Sequence, residues 1–169
     1  MYSRGTVCRT SQIAPQSSTT LLVYTAGLIT YPRIAEGNYY EAHQQLRVIT
    51  SRYLKSSDYT SAADILSNGS VLLLNAGQGG SGGDLAMMLL KDVYMKGEWE
   101  CNEANKARLL EILHAFPRDE PTRKRFIQEM IGWSGRFGDT ERGDPDLHHA
   151  AGALFAEGLY TISERRSIC

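Results

Sequence analysis

Apolar residues recur at helical spacing along almost the whole chain from Asn38 onward, and this periodicity limits the possible folds more than any other feature. The residues form five successive stripes: Tyr39, Ala42, Leu46, Ile49 and Tyr53; Tyr59, Ala62, Ala63, Leu66 and Leu73; Ala104, Ala107, Leu110 and Leu113; Phe126, Met130 and Phe137; Leu147, Ala151, Leu154 and Phe155. No segment shows convincing two-residue alternation, the pattern of a half-buried strand. The sequence therefore predicts an all-α chain of short antiparallel helices.

Residues that start or end helices separate these stripes. The predicted boundary residues are the N-caps Asn38, Asp58, Asp84 and Asp144, the first-turn prolines Pro121 and Pro145, and the terminator Phe116-Pro117. A short polar side chain can accept a free N–H of the first turn, and proline lacks the N–H that this turn leaves unbonded. The stripes are therefore expected to be separate helices.

Two of the helices echo each other. Asn38 to Leu46 and Asp58 to Leu66 share a cap, a Tyr, an Ala and a Leu at matching offsets, and Gly158-Leu159-Tyr160 starts a weaker third copy. A small Ala three positions after the Tyr lets two helices approach closely, as in stacked tetratricopeptide-like hairpins. The spacing is not regular enough for that repeat alone, so an irregular α-solenoid of antiparallel helical hairpins is predicted.

Charge and cysteine content exclude several classes of protein. Lys and Arg number 18 against 19 Asp and Glu, so nothing points to nucleic acid or an anionic membrane as a partner. Cys8, Cys101 and Cys169 are scattered, as in a reduced cytosolic chain, and imply neither disulfides nor zinc. Cys101 has no nearby His, and the adjacent His148 and His149 cannot form a two-His metal face. No catalytic residue, metal ligand or cofactor is assigned.

The first 33 residues have a different character. An apolar stretch over residues 21–29 is too short to span a bilayer, and it lacks a clean cleavage site for a secretory signal. A poorly ordered leader is favoured over a signal peptide. The predicted organisation is a divergent leader over 1–33, solenoid over 34–160 and a divergent tail over 161–169.

A glycine-rich stretch runs from Gln78 to Asp84, with four glycines in six positions. Such a loop before a helix can cradle a phosphate, but no Lys-Ser or Lys-Thr pair follows, and the preceding segment reads as helix rather than strand. As an N-cap, Asp84 would take up the free N–H groups and repel an anion. A flexible loop and a docking edge for a partner protein remain as alternatives.

Four blocks together resemble the Golgi-to-ER traffic protein 4 family. The blocks are Ala35 to Arg47, Gln78 to Leu85, Trp133-Ser134 and Gly143 to His148, and the resemblance runs from about Ile34 to about Gly158. It implies a non-catalytic cytosolic adaptor, built as an α-solenoid, in the insertion of tail-anchored proteins into the endoplasmic reticulum (ER) membrane. Its N-terminal half would hold the targeting ATPase and its C-terminal half a ubiquitin-like partner. A full-length member would be roughly twice this size, so we expect the N-terminal half alone, without the ubiquitin-like partner's site.

By this resemblance the helix that starts at Tyr39 anchors the ATPase. We expect His43 to be exposed and to form an aromatic and basic patch with Tyr40 and Arg47. The resemblance also implies that Asp84 contacts basic residues of the ATPase and restrains nucleotide hydrolysis. The predicted partner-binding residues are Tyr40, His43, Arg47, Arg52, Lys55, Gly79, Gly80 and Asp84. The alternative is a truncated helical scaffold that no longer engages the ATPase.

Overall fold

The computed structural model describes the backbone of residues 32–166 and the side chains of residues 32–156. This part holds a helical turn at 32–35, six longer α-helices and one π-helical segment, with no strand. The helices are α1 (Tyr39–Lys55), α2 (Tyr59–Asn75), α3 (Gly79–Met88), the π segment (Leu89–Met95), α4 (Glu103–Ala115), α5 (Pro121–Phe137) and α6 (Pro145–Arg166). The predicted all-α class is confirmed.

The first helices are joined by the same turn, used three times. Gly37, Ser57 and Gly77 have φ of 81°, 60° and 74°, in the left-handed region. In each turn the left-handed residue donates its N–H to the carbonyl three residues back, and the next residue donates to the carbonyl five residues back. This is the Schellman arrangement, which satisfies carbonyls at a helix end. The three turns lie at 37, 57 and 77, so the repeat is 20 residues long.

The 20-residue repeat places the third matching helix start at α3, where glycines replace the Tyr and the Ala of the echo. Helices α1, α2 and α3 start at residues 39, 59 and 79, and the positions of Ala42 and Ala62 correspond to Gly82. All three of these small residues are buried. The expected third copy at Gly158 is wrong, because that residue lies inside α6 rather than at a helix start.

The fourth turn comes one residue late. Glu98 has φ of 51°, and the N–H of Trp99 donates to the carbonyl of Tyr94 in the same five-residue pattern. The left-handed residues of the third and fourth turns, Gly77 and Glu98, are 21 residues apart instead of 20. The π segment lies inside this interval, and a π turn accommodates one extra residue in a helix.

Helix α2 is the centre of the packing. It contacts α1, α3, α4 and the π segment. The stripe predicted for it is buried or packed against the core, and it buries ten residues in total: Ser61, Ala62, Ala63, Ile65, Leu66, Ser67, Gly69, Ser70, Leu73 and Leu74. Helices α1 and α3 lie against this central helix, and both carry residues of the predicted partner surface.

Three aromatic rings fix the π segment to α5. The ring of Tyr94 stacks on Trp99 with centroids 5.0 Å apart and lies 5.1 Å from the ring of Trp133. The indole N–H of Trp133 donates to the carbonyl oxygen of Trp99 at 3.0 Å. Trp133 is fully buried and belongs to the core.

Most predicted boundaries are confirmed. Asp58 accepts the N–H of Ser61, Pro121 and Pro145 are the first residues of α5 and α6, and α4 ends just before Phe116. Asn38 occupies the N-cap of α1 without a side-chain cap bond. Each of these boundaries depends on residues within one turn of the helix end, which is why the sequence predicts them.

The glycine-rich stretch is helix rather than loop. It forms the first half of α3, so Asp84 is the sixth residue of that helix and its prediction as an N-cap is wrong. Packing requires glycine at two of these positions: a Cβ at Gly82 would lie 2.6 Å from Leu74 Cγ, and one at Gly83 would lie 2.8 Å from Thr122 Cγ2. Close approach of α2 and α5 to α3 thus outweighs the low helix propensity of glycine.

A buried lysine joins α4 to the start of α6. Lys106 Nζ lies 3.1 Å from Asp144 Oδ2, 3.3 Å from Asp146 Oδ2 and 2.7 Å from Glu103 Oε1. Hydrogen bonds to Glu103 and then Asp144 raise the pKa of Lys106 above its ordinary value. Burial acts to raise the pKa of Asp144, but hydrogen bonds from Lys106 and from the N–H groups of Leu147 and Asp146 lower it. Asp144 thus also caps α6, as predicted.

The predicted ends of the chain lie largely outside the described residues. This applies to most of the leader over 1–33 and to the last residues of the tail over 161–169. The backbone of α6 continues past the expected boundary at 160, to Arg166, and the domain division itself stays a prediction. Among the helices that the structure describes, none combines the length and apolar character needed to cross a bilayer.

Candidate functional site

The predicted partner residues of α1 and α3 meet at one carboxylate. His43 Nε2 lies 2.9 Å from Asp84 Oδ2, and Arg47 Nη1 donates to the same oxygen at 3.1 Å. His43 and Arg47 are four residues apart and therefore share one face of α1. We call these three residues the Asp84 cluster. It connects positions that are 41 and 37 residues apart in the sequence.

His43 is the buried member of the cluster and contacts the carboxylate of Asp84. The residue is only 7% exposed, so the expectation of an exposed histidine is wrong. The helical stripe of α1 shows only the face that packs on α2, whereas α1 also packs against α3, which covers His43. Because a carboxylate only accepts hydrogen bonds, Nε2 carries the proton in this contact.

Around the cluster, several predicted residues face the solvent. The side chains of Arg47 and Asp84 are 48% and 46% exposed, and Tyr40 is 75% exposed. Arg52 and Lys55 are exposed in the last turn of α1, where their charges also favour the helix dipole. Among the hydrogen bonds of the described residues, those to Asp84 use Oδ2 alone, so Oδ1 is available to a partner.

The two predicted glycines differ in position. Gly79 is buried, and a Cβ there would collide with the carboxylate of Glu120, so its packing role is internal. Gly80 is exposed, and a Cβ there would meet no atom within 4 Å. Of the two, Gly80 alone offers an open surface to a partner.

A groove of about 450 Å³ adjoins the Asp84 cluster. It lies between α1, α3 with the π segment, and α5, and is lined by Arg47, Gly80, Asp84, Met87, Met88, Lys91, Asp92, Thr122 and Arg125. Sequence reasoning missed the part contributed by the π segment and α5. A signal was present in the three consecutive basic residues over 123–125, which lie near the start of α5, close to the positive end of the helix dipole.

Charged side chains make up most of the groove lining. Among the described residues, no group of three His, Cys, Asp or Glu side chains could hold a metal ion. Burial, followed by the charge of Asp144, raises the pKa of the Cys101 thiol, which makes it a poorer nucleophile at neutral pH. Exposed arginine and tyrosine side chains are enriched at protein interfaces.

Comparison with known proteins gives consistent matches. The family model described as Golgi to ER traffic protein 4 matches residues 56–169. Golgi to ER traffic protein 4 of Aspergillus fumigatus is 59% identical over 137 residues, covering 74% of this chain and 40% of that protein. The Schizosaccharomyces pombe protein of the same name is 36% identical over 118 residues, covering 70% and 38%. The chain thus spans about two fifths of the length of these relatives.

A solved structure has the same fold. The crystal structure of C. therm. Get4 superposes with a TM-score of 0.78 at 40% sequence identity, covering 85% of this chain and 47% of that one. The predicted α-solenoid of helical hairpins is confirmed by this match together with the repeated turns of α1 to α3.

Proposed function

The chain belongs to the Golgi to ER traffic protein 4 family, and we propose on that basis that it acts in the insertion of tail-anchored proteins into the ER membrane. In this proposal it is a non-catalytic cytosolic adaptor that docks the targeting ATPase of the pathway. A ubiquitin-like partner of full-length members would bind the family's solenoid beyond this segment.

The Asp84 cluster and its surroundings are the observation that supports docking. Arg47 and Asp84 come from two helices and are exposed in contact with each other, and Tyr40 is exposed two turns before Arg47 on α1. An exposed aromatic ring and an exposed arginine on one helix face are the residue types of an interface hot spot. In the proposal, Tyr40 and Arg47 anchor the ATPase and Arg52 and Lys55 extend the contact.

The proposal gives Asp84 a different role from the anchoring residues. Its carboxylate contacts basic residues of the ATPase and restrains ATP hydrolysis. His43 is a positioning residue, because its contact with Oδ2 fixes the carboxylate while Oδ1 stays available. Anchoring and restraint are thus assigned to neighbouring but separate side chains.

The proposal is tested by titrating the targeting ATPase with the purified chain. Arg47→Glu removes one anchor and places a negative charge next to Asp84, so we expect binding to weaken by at least about tenfold. Asp84→Ala should relieve the restraint on ATP hydrolysis. The matched control is Arg142→Glu, which makes the same charge reversal at an exposed position before α6 and should bind normally.

Two results would count against the proposal. If Arg47→Glu binds as tightly as the unaltered chain, the surface is wrongly assigned. If the unaltered chain does not bind the ATPase, the alternative of a helical scaffold without that partner is favoured.

A further inference from the structure

The cations that line the groove differ in whether they are already paired. Arg47 donates to Asp84, and Lys91 Nζ lies 3.2 Å from Glu129 Oε1. Arg125 is exposed, and within the described residues it forms neither a hydrogen bond nor an ion pair. Arg125 is therefore the cation of the groove that is available to a ligand.

Positive charge is concentrated at the start of α5, next to the groove. The first turn of a helix carries the positive end of its dipole, and α5 has no acidic residue within this turn. Glu120 caps the helix from outside by accepting the N–H and hydroxyl of Thr122. Arg123, Lys124 and Arg125 follow directly, in a chain whose net charge is −1. Of these three residues, Arg125 lines the groove, so its charge can meet a negative group bound there.

The other residues that line the groove indicate which class of negatively charged partner it fits. Met87 and Met88 supply adaptable apolar surface, which suits a protein side chain. Asp84 and Asp92 also line the groove, and their carboxylates oppose a continuous array of phosphates. The lining therefore complements discrete carboxylates beside an apolar side chain more closely than it complements a lipid surface or nucleic acid.

We propose that the groove binds an acidic amphipathic segment of the docked ATPase, and that Arg125 determines its specificity. A carboxylate of the segment pairs with the guanidinium of Arg125, whose planar fork fits it with two hydrogen bonds. An apolar side chain of the same segment packs on Met87 and Met88, in the manner of a helix in a groove. This inference rests on the proposed function, which names the ATPase as the partner.

The test measures binding of the targeting ATPase to two pairs of variants of the full chain. Arg125→Glu reverses the charge in the groove, and Lys124→Glu makes the same change at the neighbouring exposed position, which does not line it. Gly80→Phe fills the groove from a position where a Cβ meets no atom within 4 Å. Gly132→Phe is its control, because Gly132 is equally open and lies within α5.

We expect Arg125→Glu and Gly80→Phe to weaken binding by about tenfold each, and the two controls to change it by less than about threefold. Replacing the matching acidic residue of the ATPase by Lys should restore binding to Arg125→Glu. Thermal melts should show all four variants folded.

Other outcomes would overturn the inference in distinguishable ways. If Arg125→Glu and Gly80→Phe bind normally while Arg47→Glu does not, the groove assignment fails and the proposed function stands. If the unaltered chain does not bind the ATPase, both fail. If Arg125→Glu affects only flotation with phosphatidylserine vesicles, the groove recognises an anionic membrane instead.

Discussion

Replacement of two glycines of α3 by alanine should have opposite effects on stability. Both changes add one methyl group to the same helix, where Ala is favoured over Gly by up to about 1 kcal/mol. At Gly80 the new Cβ meets no atom within 4 Å, so Gly80→Ala should raise the free energy of unfolding by roughly 0.5–1 kcal/mol. At Gly82 the Cβ would lie 2.6 Å from Leu74 Cγ and 3.0 Å from the Leu74 backbone nitrogen.

The contact at Gly82 cannot be relieved by a side-chain rotation alone. Leu74 is buried, and its backbone nitrogen is part of α2. Overpacking of a core costs about 1–3 kcal/mol, so Gly82→Ala should show a net loss of roughly 1–2 kcal/mol after the propensity gain. The two variants should thus differ by about 1.5–3 kcal/mol, which for a chain of this length separates the melting temperatures by roughly 3–12 °C.

Urea denaturation followed by circular dichroism measures this difference directly. Both variants should keep the helical content of the unaltered chain. If Gly82→Ala proves as stable as Gly80→Ala, α2 and α3 do not pack as closely as the contact between Gly82 and Leu74 requires. The glycines would then be a flexible segment, which is one of the alternatives that the sequence leaves open.

Three further changes probe other parts of the fold. Ser57→Gly should raise the free energy of unfolding by about 1 kcal/mol, measured by urea denaturation, because Ser57 has a left-handed φ of 60°. Asp144→Asn keeps a capping side chain but loses the charge beside Lys106. The folded-state pKa of Asp144 is lowered, so the contribution of its charge to the free energy of unfolding is present above the unfolded pKa and is lost as the pH falls through the folded value. Acid titration should therefore destabilise the unaltered chain more than the variant below about pH 4. Trp133→Phe removes the hydrogen bond to Trp99 and should lower the melting temperature by a few degrees, at a cost of about 1–3 kcal/mol. An unchanged result in any of the three experiments would contradict the corresponding contact.

Helix boundaries were predictable where their cause is local. Asp58 and Pro121 act within one turn of the helix that they start, so the sequence places them correctly. Asp84 has the same residue type, but α3 starts five residues earlier, because close packing against Glu120 and Leu74 leaves room only for glycine at positions 79 and 82. A glycine that breaks an isolated helix and one that admits a neighbouring helix look identical in the sequence.

The candidate site was predictable only in part, for a related reason. The spacing of His43 and Arg47 shows that they share a face of α1, and the family resemblance adds Asp84. That spacing does not show that α3 covers this face and buries His43. The groove was missed because Arg47, Met88 and Arg125 meet only when three separate elements are packed together.

The π segment allows this helix to contain one residue more than the 20-residue repeat without displacing the aromatic contacts at the end of the segment. An α-helix turns by about 100° per residue, so an insertion in an uninterrupted helix would rotate every later side chain by that angle. Confining the added residue to Leu89–Met95 keeps Tyr94 stacked on Trp99 and in contact with Trp133. When relatives are aligned by their repeats, a one-residue gap therefore belongs inside this helix and not in the turn after it. Placing the gap in the turn would assign the aromatic core to the wrong positions.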